Sequence, residues 1–228
     1  MDYKVILARD LRETNLKQAE ENLGIFNKAG VTVINLISSP GAGKTSLLEV
    51  TLQKLLPEIN IGIIEGDLAT AYDADRLAPY KIPLVQINTA GACHLDAAMI
   101  RRAMEELPLE DLDLVFIENV GNLVCPAEFD LGEDAKVALL SVAEGSDKPL
   151  KYPFIFQKAR LLLITKTDLL PYTNFDLPSV HRQVRQLNPS LEILPLSALT
   201  GEGLEGWYAW LKGLVHQKKA ARKGCATA

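Results

Sequence analysis

The run Ser38-Ser39-Pro40-Gly41-Ala42-Gly43-Lys44-Thr45 follows the apolar stretch VTVINLI (31–37) and precedes SLLEVTLQKLL (46–56). A glycine-rich turn between a strand and a helix lets successive backbone N–H groups face one phosphate, and the helix dipole adds positive potential there. Gly41, Ala42 and Gly43 supply that cradle, and Lys44 reaches toward the terminal phosphate oxygens. The Thr45 hydroxyl, with Ser46 behind it, suits a hard Mg²⁺ ion. Ser38 stands where the pattern G-x-x-x-x-G-K-[ST] has its first glycine; serine serves there if its φ stays negative. Asp67, just past the run IGIIE (61–65), lies one helix and one strand beyond Thr45. Its carboxylate therefore returns to the same sheet edge as a Mg²⁺ ligand, with capping of the next segment as the alternative use.

A second set of residues offers softer donors. Cys93-His94 lies in the loop after PLVQI (83–87), and Cys125 lies soon after DLVFIE (113–118), in Asn122-Leu123-Val124-Cys125-Pro126. If both runs are strands of one parallel sheet, two thiolates and an imidazole meet at one edge and can hold a borderline or soft divalent ion. Three ligands leave the coordination shell open to water, to a symmetry mate's ligand and to exchange. Taken alone, each thiol is equally at home as a small core residue. Cys225 sits apart in the basic end KKAARKGCATA, and three scattered cysteines argue against a disulfide framework.

Further loops complete a nucleotide site. Thr165-Lys166-Thr167-Asp168, at the end of RLLLIT (160–165), resembles the guanine-reading motif N-K-x-D of GTPases, with Thr165 in place of Asn. In that motif the Asp accepts from the N1 and N2 donors of guanine, a pair that adenine lacks. Ser197-Ala198-Leu199, after LEILPL (191–196), resembles the loop that packs behind the base. Glu118-Asn119-Val120-Gly121 resembles the D-x-x-G switch, with Glu for Asp, whose glycine N–H meets the γ-phosphate. Lys44, Asp67 and Gly121 form the expected hydrolytic set, and Thr45, Asp67 and Glu118 the expected Mg²⁺ ligands. No glutamine is placed to orient water as in small GTPases, so slow intrinsic turnover is expected.

The elements that must position these residues follow from periodicity. The six runs above and VALLSV (137–142) lack strict alternation, as strands buried on both faces do, and they alternate with helical patterns such as HLDAAMIRRAMEEL (94–107) and LPSVHRQVRQLN (177–188). The fold expected is a doubly wound, mostly parallel α/β sheet with helices on both faces, with ligands beyond the carboxyl ends of the strands. Residues 1–30 read as an amphipathic helical segment packed on the domain, with Leu16, Ala19, Leu23 and Phe26 at helical spacing and Thr14 or Asn15 as its cap. Residues 31–216 form the nucleotide-binding domain, and 217–228 read as a flexible basic tail.

Composition narrows the partners. In 228 residues, 24 Lys and Arg against 29 Asp and Glu give a net charge of −5, which provides no basic field for nucleic acid. No apolar run is long enough to span a membrane, and the amino terminus has no signal-peptide pattern, so a cytoplasmic location is expected.

Together, ISSPGAGKTSLL, EGDLATAYDADRL, NTAGACHLDAAM, ENVGNLVCP, EGSDKPLKYP, TKTDLLPY and SALTGEGL resemble the HypB family of hydrogenase nickel-incorporation GTPases, P-loop NTPases of the SIMIBI class. The resemblance covers about residues 25–212. It implies a GTP-promoted homodimer that takes or passes nickel with a HypA-like delivery protein and serves the large-subunit precursor of [NiFe]-hydrogenase indirectly. It also implies that Cys93, His94 and Cys125 form a Ni²⁺/Zn²⁺ site at the dimer interface, and that Lys151 reaches the guanine of the opposite subunit. Residues 1–30 lack both Cys and His, so the amino-terminal C-x-x-C-G-C nickel motif and the histidine-rich storage stretch of some members are absent from this sequence. A urease or cobalamin-enzyme chaperone of the same class, and a nucleotide-binding module with a structural zinc, are the alternative readings.

Overall fold

Each of the seven apolar runs becomes a strand of one sheet. The computed structural model describes residues 8–67 and 76–226. Within them lie β1 (Thr32–Ser38), β2 (Ile61–Asp67), β3 (Leu84–Asn88), β4 (Leu114–Glu118), β5 (Ala135–Ser141), β6 (Leu161–Thr165) and β7 (Glu192–Pro195). They are ordered β3-β2-β4-β1-β5-β6-β7, and every pairing is parallel. The chain winds outward through β2 and β3, returns to β4 beside β1, then crosses to β5 and continues the other way. β1 thus stands at the reversal, where the crevice beyond the strand ends collects ligands.

Burial explains the unbroken apolar runs. All residues of β1, β4, β5 and β6 are buried, while the edge strands β3 and β7 are partly exposed. Successive residues of β4 serve opposite layers. Leu114 and Phe116 join a core with α2 (Lys44–Leu55) and α8 (Leu204–Ala226). Val115 and Ile117 join another with α1 (Ala8–Ala29) and α3 (Ala97–Glu105). A third core, under β5 and β6, is closed by Ile155 and Phe156 and by α7 (Leu177–Leu187). Trp207 anchors the first layer: it is fully buried, and its indole N–H donates to Thr51 Oγ1 at 2.9 Å. Among the described residues, no helix is long and apolar enough to cross a membrane.

Two elements depart from the sequence reading. The first helix already runs from Ala8, so Thr14 and Asn15 both lie inside it and neither is its cap. Asn15 instead bridges two loops, with Oδ1 accepting from Ala97 N and Nδ2 donating to Asp130 O, both at 2.8 Å. Asn22, fully buried on the same helix, donates to Ala97 O and Leu131 O. The stretch from residue 217, expected as a flexible tail, continues α8 through Ala226. Its charges are spent on the domain: Lys218 pairs with Asp134, Lys219 with Asp113, and Arg222 donates to Ala29 O. Cys225 lies outside the residues whose side chains are described.

α1 can dock this closely because Gly132 passes beneath it with φ of 97°; a Cβ there would lie 2.8 Å from Ala19 O and Leu23 N. Gly132→Ala should therefore destabilise the protein by about 2 kcal/mol, measured by denaturant unfolding. An unchanged midpoint would show that α1 is not held against this turn.

Candidate functional site

The loop between β1 and α2 builds the phosphate cradle as its sequence requires. Gly41 and Gly43 take φ values of 72° and 98°, left-handed conformations that favour glycine. Ser38 does not join them: the non-glycine residues with positive φ among those described are Lys81, Ala90 and Lys166. Serine is therefore tolerated at the first position of the pattern. Lys44 Nζ lies 3.1 Å from Ser38 Oγ, folded back over the loop it serves, and Ser38 Oγ donates to Ser39 O at 2.7 Å. Thr45 Oγ1 donates to Glu118 Oε1 at 2.8 Å, tying the start of α2 to the end of β4. Both residues are buried, as is Glu65 beside them. A hydroxyl and a carboxylate oxygen meeting in a cavity are the hard donors that fit Mg²⁺. Asp67 ends β2, but its side chain, like residues 68–75, lies outside the described residues.

A cavity of about 350 Å³ opens between these parts. Its walls include Gly43, Lys44, Thr45, Glu118 and Gly121, so the cradle and the D-x-x-G-like loop face one space. Gly121 is pressed so closely on the cradle that a Cβ would lie 2.9 Å from Pro40 Cγ. Beside it, a second cavity of about 290 Å³ is lined by Ala42, Ser46, Lys166, Asp168, Ala198 and Leu199 among others. Lys166, Asp168, Ala198 and Leu199 thus share one pocket adjoining the phosphate site, with Ser197 fully buried behind Asp168. Thr165 Oγ1 donates to Ala42 O at 2.7 Å and Lys166 Nζ to Gly41 O at 2.7 Å, so the base loop is strapped to the phosphate loop. Threonine, although shorter than the asparagine of the motif, provides a strap. Ser197 Oγ donates to Asp168 Oδ1 at 2.5 Å and orients that carboxylate. Lys151 is not in this pocket; it is exposed and paired with Asp147 at 2.5 Å.

The softer donors also converge. The ligand atoms of Cys93, His94 and Cys125 all lie within 4.8 Å of one another. Cys93 Sγ is 3.6 Å from His94 Nδ1, and the imidazole stacks on Phe129 with ring centroids 4.0 Å apart. Cys93 is exposed while the other two are half-buried, so the group opens to solvent on one side. Burial lowers the His94 pKa, with Asp96 and Glu128 opposing, which favours the neutral ring that a metal needs. The Cys125 thiol is pushed up by its hydrogen bond with Cys93, by burial and by the charge of Cys93. A metal entering here must displace that proton.

Three functional residues escaped the sequence reading. Asn119, buried, and Asn122, half-buried, hold the Cys93–Leu95 segment: Asn119 Oδ1 accepts from Leu95 N at 3.2 Å, and Asn122 Nδ2 donates to Cys93 O at 3.3 Å. Arg76 lines the phosphate cavity and is held by Glu49 at 2.5 Å and by Ser46 at 3.1 Å. The signal for Asn119 was present in its partner Asn35, an amide in the middle of the apolar run 31–37 that needs a buried mate. Arg76 carried no such signal, because only the folded chain brings it back to α2.

Residues 32–195 match the CobW/HypB/UreG nucleotide-binding domain family. The hydrogenase maturation factor HypB of Escherichia coli strain K12 is 51% identical over 203 residues, covering 89% of this chain and 70% of that protein. The crystal structure of HypB from Helicobacter pylori in complex with nickel superimposes with a TM-score of 0.86 at 38% identity, covering 90% of this chain and 97% of the other. HypB from Archaeoglobus fulgidus gives 0.84 at 36% identity, covering 89% and 99%.

The Thr165–Ala42 hydrogen bond can be tested without disturbing packing. Thr165→Val keeps the shape and removes the strap, and it should weaken guanine-nucleotide affinity about fivefold, corresponding to roughly 1 kcal/mol for one buried hydrogen bond. A fluorescent guanine-nucleotide titration reads this directly, and an unchanged Kd would show that the strap does not position the base loop.

Proposed function

Because the chain belongs to the HypB hydrogenase maturation factors of the CobW/HypB/UreG family, we propose that it binds and hydrolyses GTP and uses that cycle to hold and release a nickel ion at Cys93, His94 and Cys125. The observation that carries this reading is the placement of Cys125 at the end of the loop that leaves Glu118 and carries Gly121, with its sulfur within 4.8 Å of the Cys93 and His94 ligand atoms. A protein whose phosphate-sensing loop also bears a metal ligand has the means to couple the two.

Guanine is read by Asp168, which Ser197 orients, while Lys166 braces the cradle. Lys44 and the backbone amides of residues 41–45 neutralise the phosphates. Thr45 and Glu118, with Asp67 as a further candidate, would hold Mg²⁺, which when bound neutralises developing charge on the phosphate oxygens. In hydrolysis a water oxygen bonds to the γ-phosphorus and the bond to the β–γ bridging oxygen breaks, giving GDP and phosphate. Turnover on this set of residues is expected to be slow, as suits a timed switch.

Thiolates and an imidazole favour Ni²⁺ or Zn²⁺ over Mg²⁺, and the Helicobacter pylori relative was crystallised in complex with nickel. Three ligands with an exposed Cys93 favour exchange over a closed structural zinc site. The open side leaves room for a ligand from a second subunit in a GTP-promoted dimer and for transfer with a HypA-like delivery protein. In such a dimer the exposed Lys151 is available to a neighbour's nucleotide.

Paired variants test the division of labour. Cys125→Ser should weaken Ni²⁺ binding at least tenfold, and Lys44→Ala should reduce GTP hydrolysis by about 100-fold or more. Equal Ni²⁺ affinity in the first, or unchanged turnover in the second, would refute the corresponding assignment. Proton displacement gives a second test. Because the Cys125 thiol titrates above its ordinary range and His94 below its own, Ni²⁺ affinity should rise steadily from pH 6.5 to 8.5 as the thiol proton becomes easier to remove. A flat calorimetric profile over that range would mean that Cys125 is not a ligand.

A further inference from the structure

Cys125 rides on the loop after β4, but Cys93 and His94 belong to a different loop, after β3. A nucleotide-driven change can reach the whole metal site only if something makes the second loop follow the first. We propose that Asn119 is that link: a positioning residue whose side chain ties the backbone of the Cys93-His94 loop to the phosphate-sensing loop, so that nucleotide state resets both halves of the metal site together.

Asn119 follows Glu118 directly and lines the phosphate cavity. It is 1% exposed, and both the oxygen and the nitrogen of its amide group are hydrogen-bonded. Oδ1 accepts from Val120 N at 3.0 Å and from Leu95 N at 3.2 Å, while Nδ2 donates to Asn35 Oδ1 at 3.2 Å. Asn35 donates in turn to Glu133 Oε1 at 3.1 Å, and Glu133 pairs with the buried Lys136 at 3.2 Å. One end of the chain is therefore fixed in the sheet core, and the other grips the residue immediately after His94. Because the same oxygen serves Val120 N and Leu95 N, a shift of residues 120–121 toward or away from a γ-phosphate must strain or re-aim the bond to Leu95.

Leu95 is well placed to pass the change on. It is fully buried, and it packs so closely on Gly66, a cavity-lining residue, that a Cβ there would lie 2.8 Å from it. On the far side of His94, Asn122 holds the carbonyl of Cys93. The two bonds, at Cys93 O and Leu95 N, thus hold the backbone on both sides of His94, and both come from the loop that ends in Cys125. Coupling free energy needs such a shared two-state element, since a ligand shifts an equilibrium only by its differential interaction with the two states.

This inference rests on the functional reading above, and the test separates the two. Ni²⁺ is titrated into the full-length protein with Mg²⁺ and saturating GDP, and again with a non-hydrolysable GTP analogue. The wild type should show Ni²⁺ affinities that differ about tenfold between the two states, within the usual range of allosteric coupling. In Asn119→Ala the two affinities should converge to within about twofold. A variant that retains the wild-type ratio overturns the role of Asn119 alone, whereas a wild type with equal affinities in both states overturns the coupling reading and this inference with it. A second measurement needs no substitution: the ¹⁵N-labelled Leu95 amide of the wild-type protein should shift when GDP is replaced by the analogue, and an unmoved resonance overturns the link.

Discussion

The hydrogen bond from Thr45 to Glu118 joins the phosphate loop to the last residue of β4, and the rest of the site depends on where that strand ends. β4 lies between β2 and β1 with both faces buried, so it offers no freedom of its own. Beyond it the path of the chain rests on individual contacts. Asn119 is held to Leu36 O and Asn35, Gly121 lies against Pro40, and Cys125 opens a short helix whose Pro126 needs no N–H partner. Between a rigid strand and a rigid turn of helix, this segment can change its path in few ways, which is the condition for a discrete switch.

On the proposed function, the same segment keeps two kinds of metal chemistry apart. At its start, buried oxygen donors face the phosphate cavity; at its end, a thiol stands with another thiol and an imidazole at the protein surface. Hard and soft ions are sorted by ligand type and need no separate domains. Burial also sets the protonation logic. His94 is held toward its neutral form and Cys125 toward its protonated form, so an ion bound at the proposed site must displace thiol protons and leaves more readily when they return.

Much of this was legible before the fold was seen, for identifiable reasons. The cradle, the base loop and the Cys/His set are short motifs whose chemistry demands particular residue types, and unbroken apolar runs mark a parallel sheet. Strand ends fell within two residues of their places because Gly, Pro and Asp punctuate the chain. What escaped were residues whose work is done across long sequence separations. Asn15 read as a cap because helix starts favour asparagine, yet it bridges Ala97 and Asp130 from inside α1. The carboxy-terminal basic run read as a frayed end because its partners, Asp113, Asp134 and Glu110, lie far upstream. Asn119 holds an x position of the D-x-x-G-like pattern, which assigns it no role, because a buried amide shows its value only beside its partner.

A metal site that shares its loop with the phosphate sensor should not have one fixed geometry. X-ray absorption at the nickel edge compares the bound ion with GDP and with a non-hydrolysable GTP analogue under otherwise identical conditions. The expected result is a change in the number of sulfur ligands or in coordination geometry between the two states. Identical spectra, with Ni²⁺ and nucleotide both bound, would contradict a site coupled to the switch.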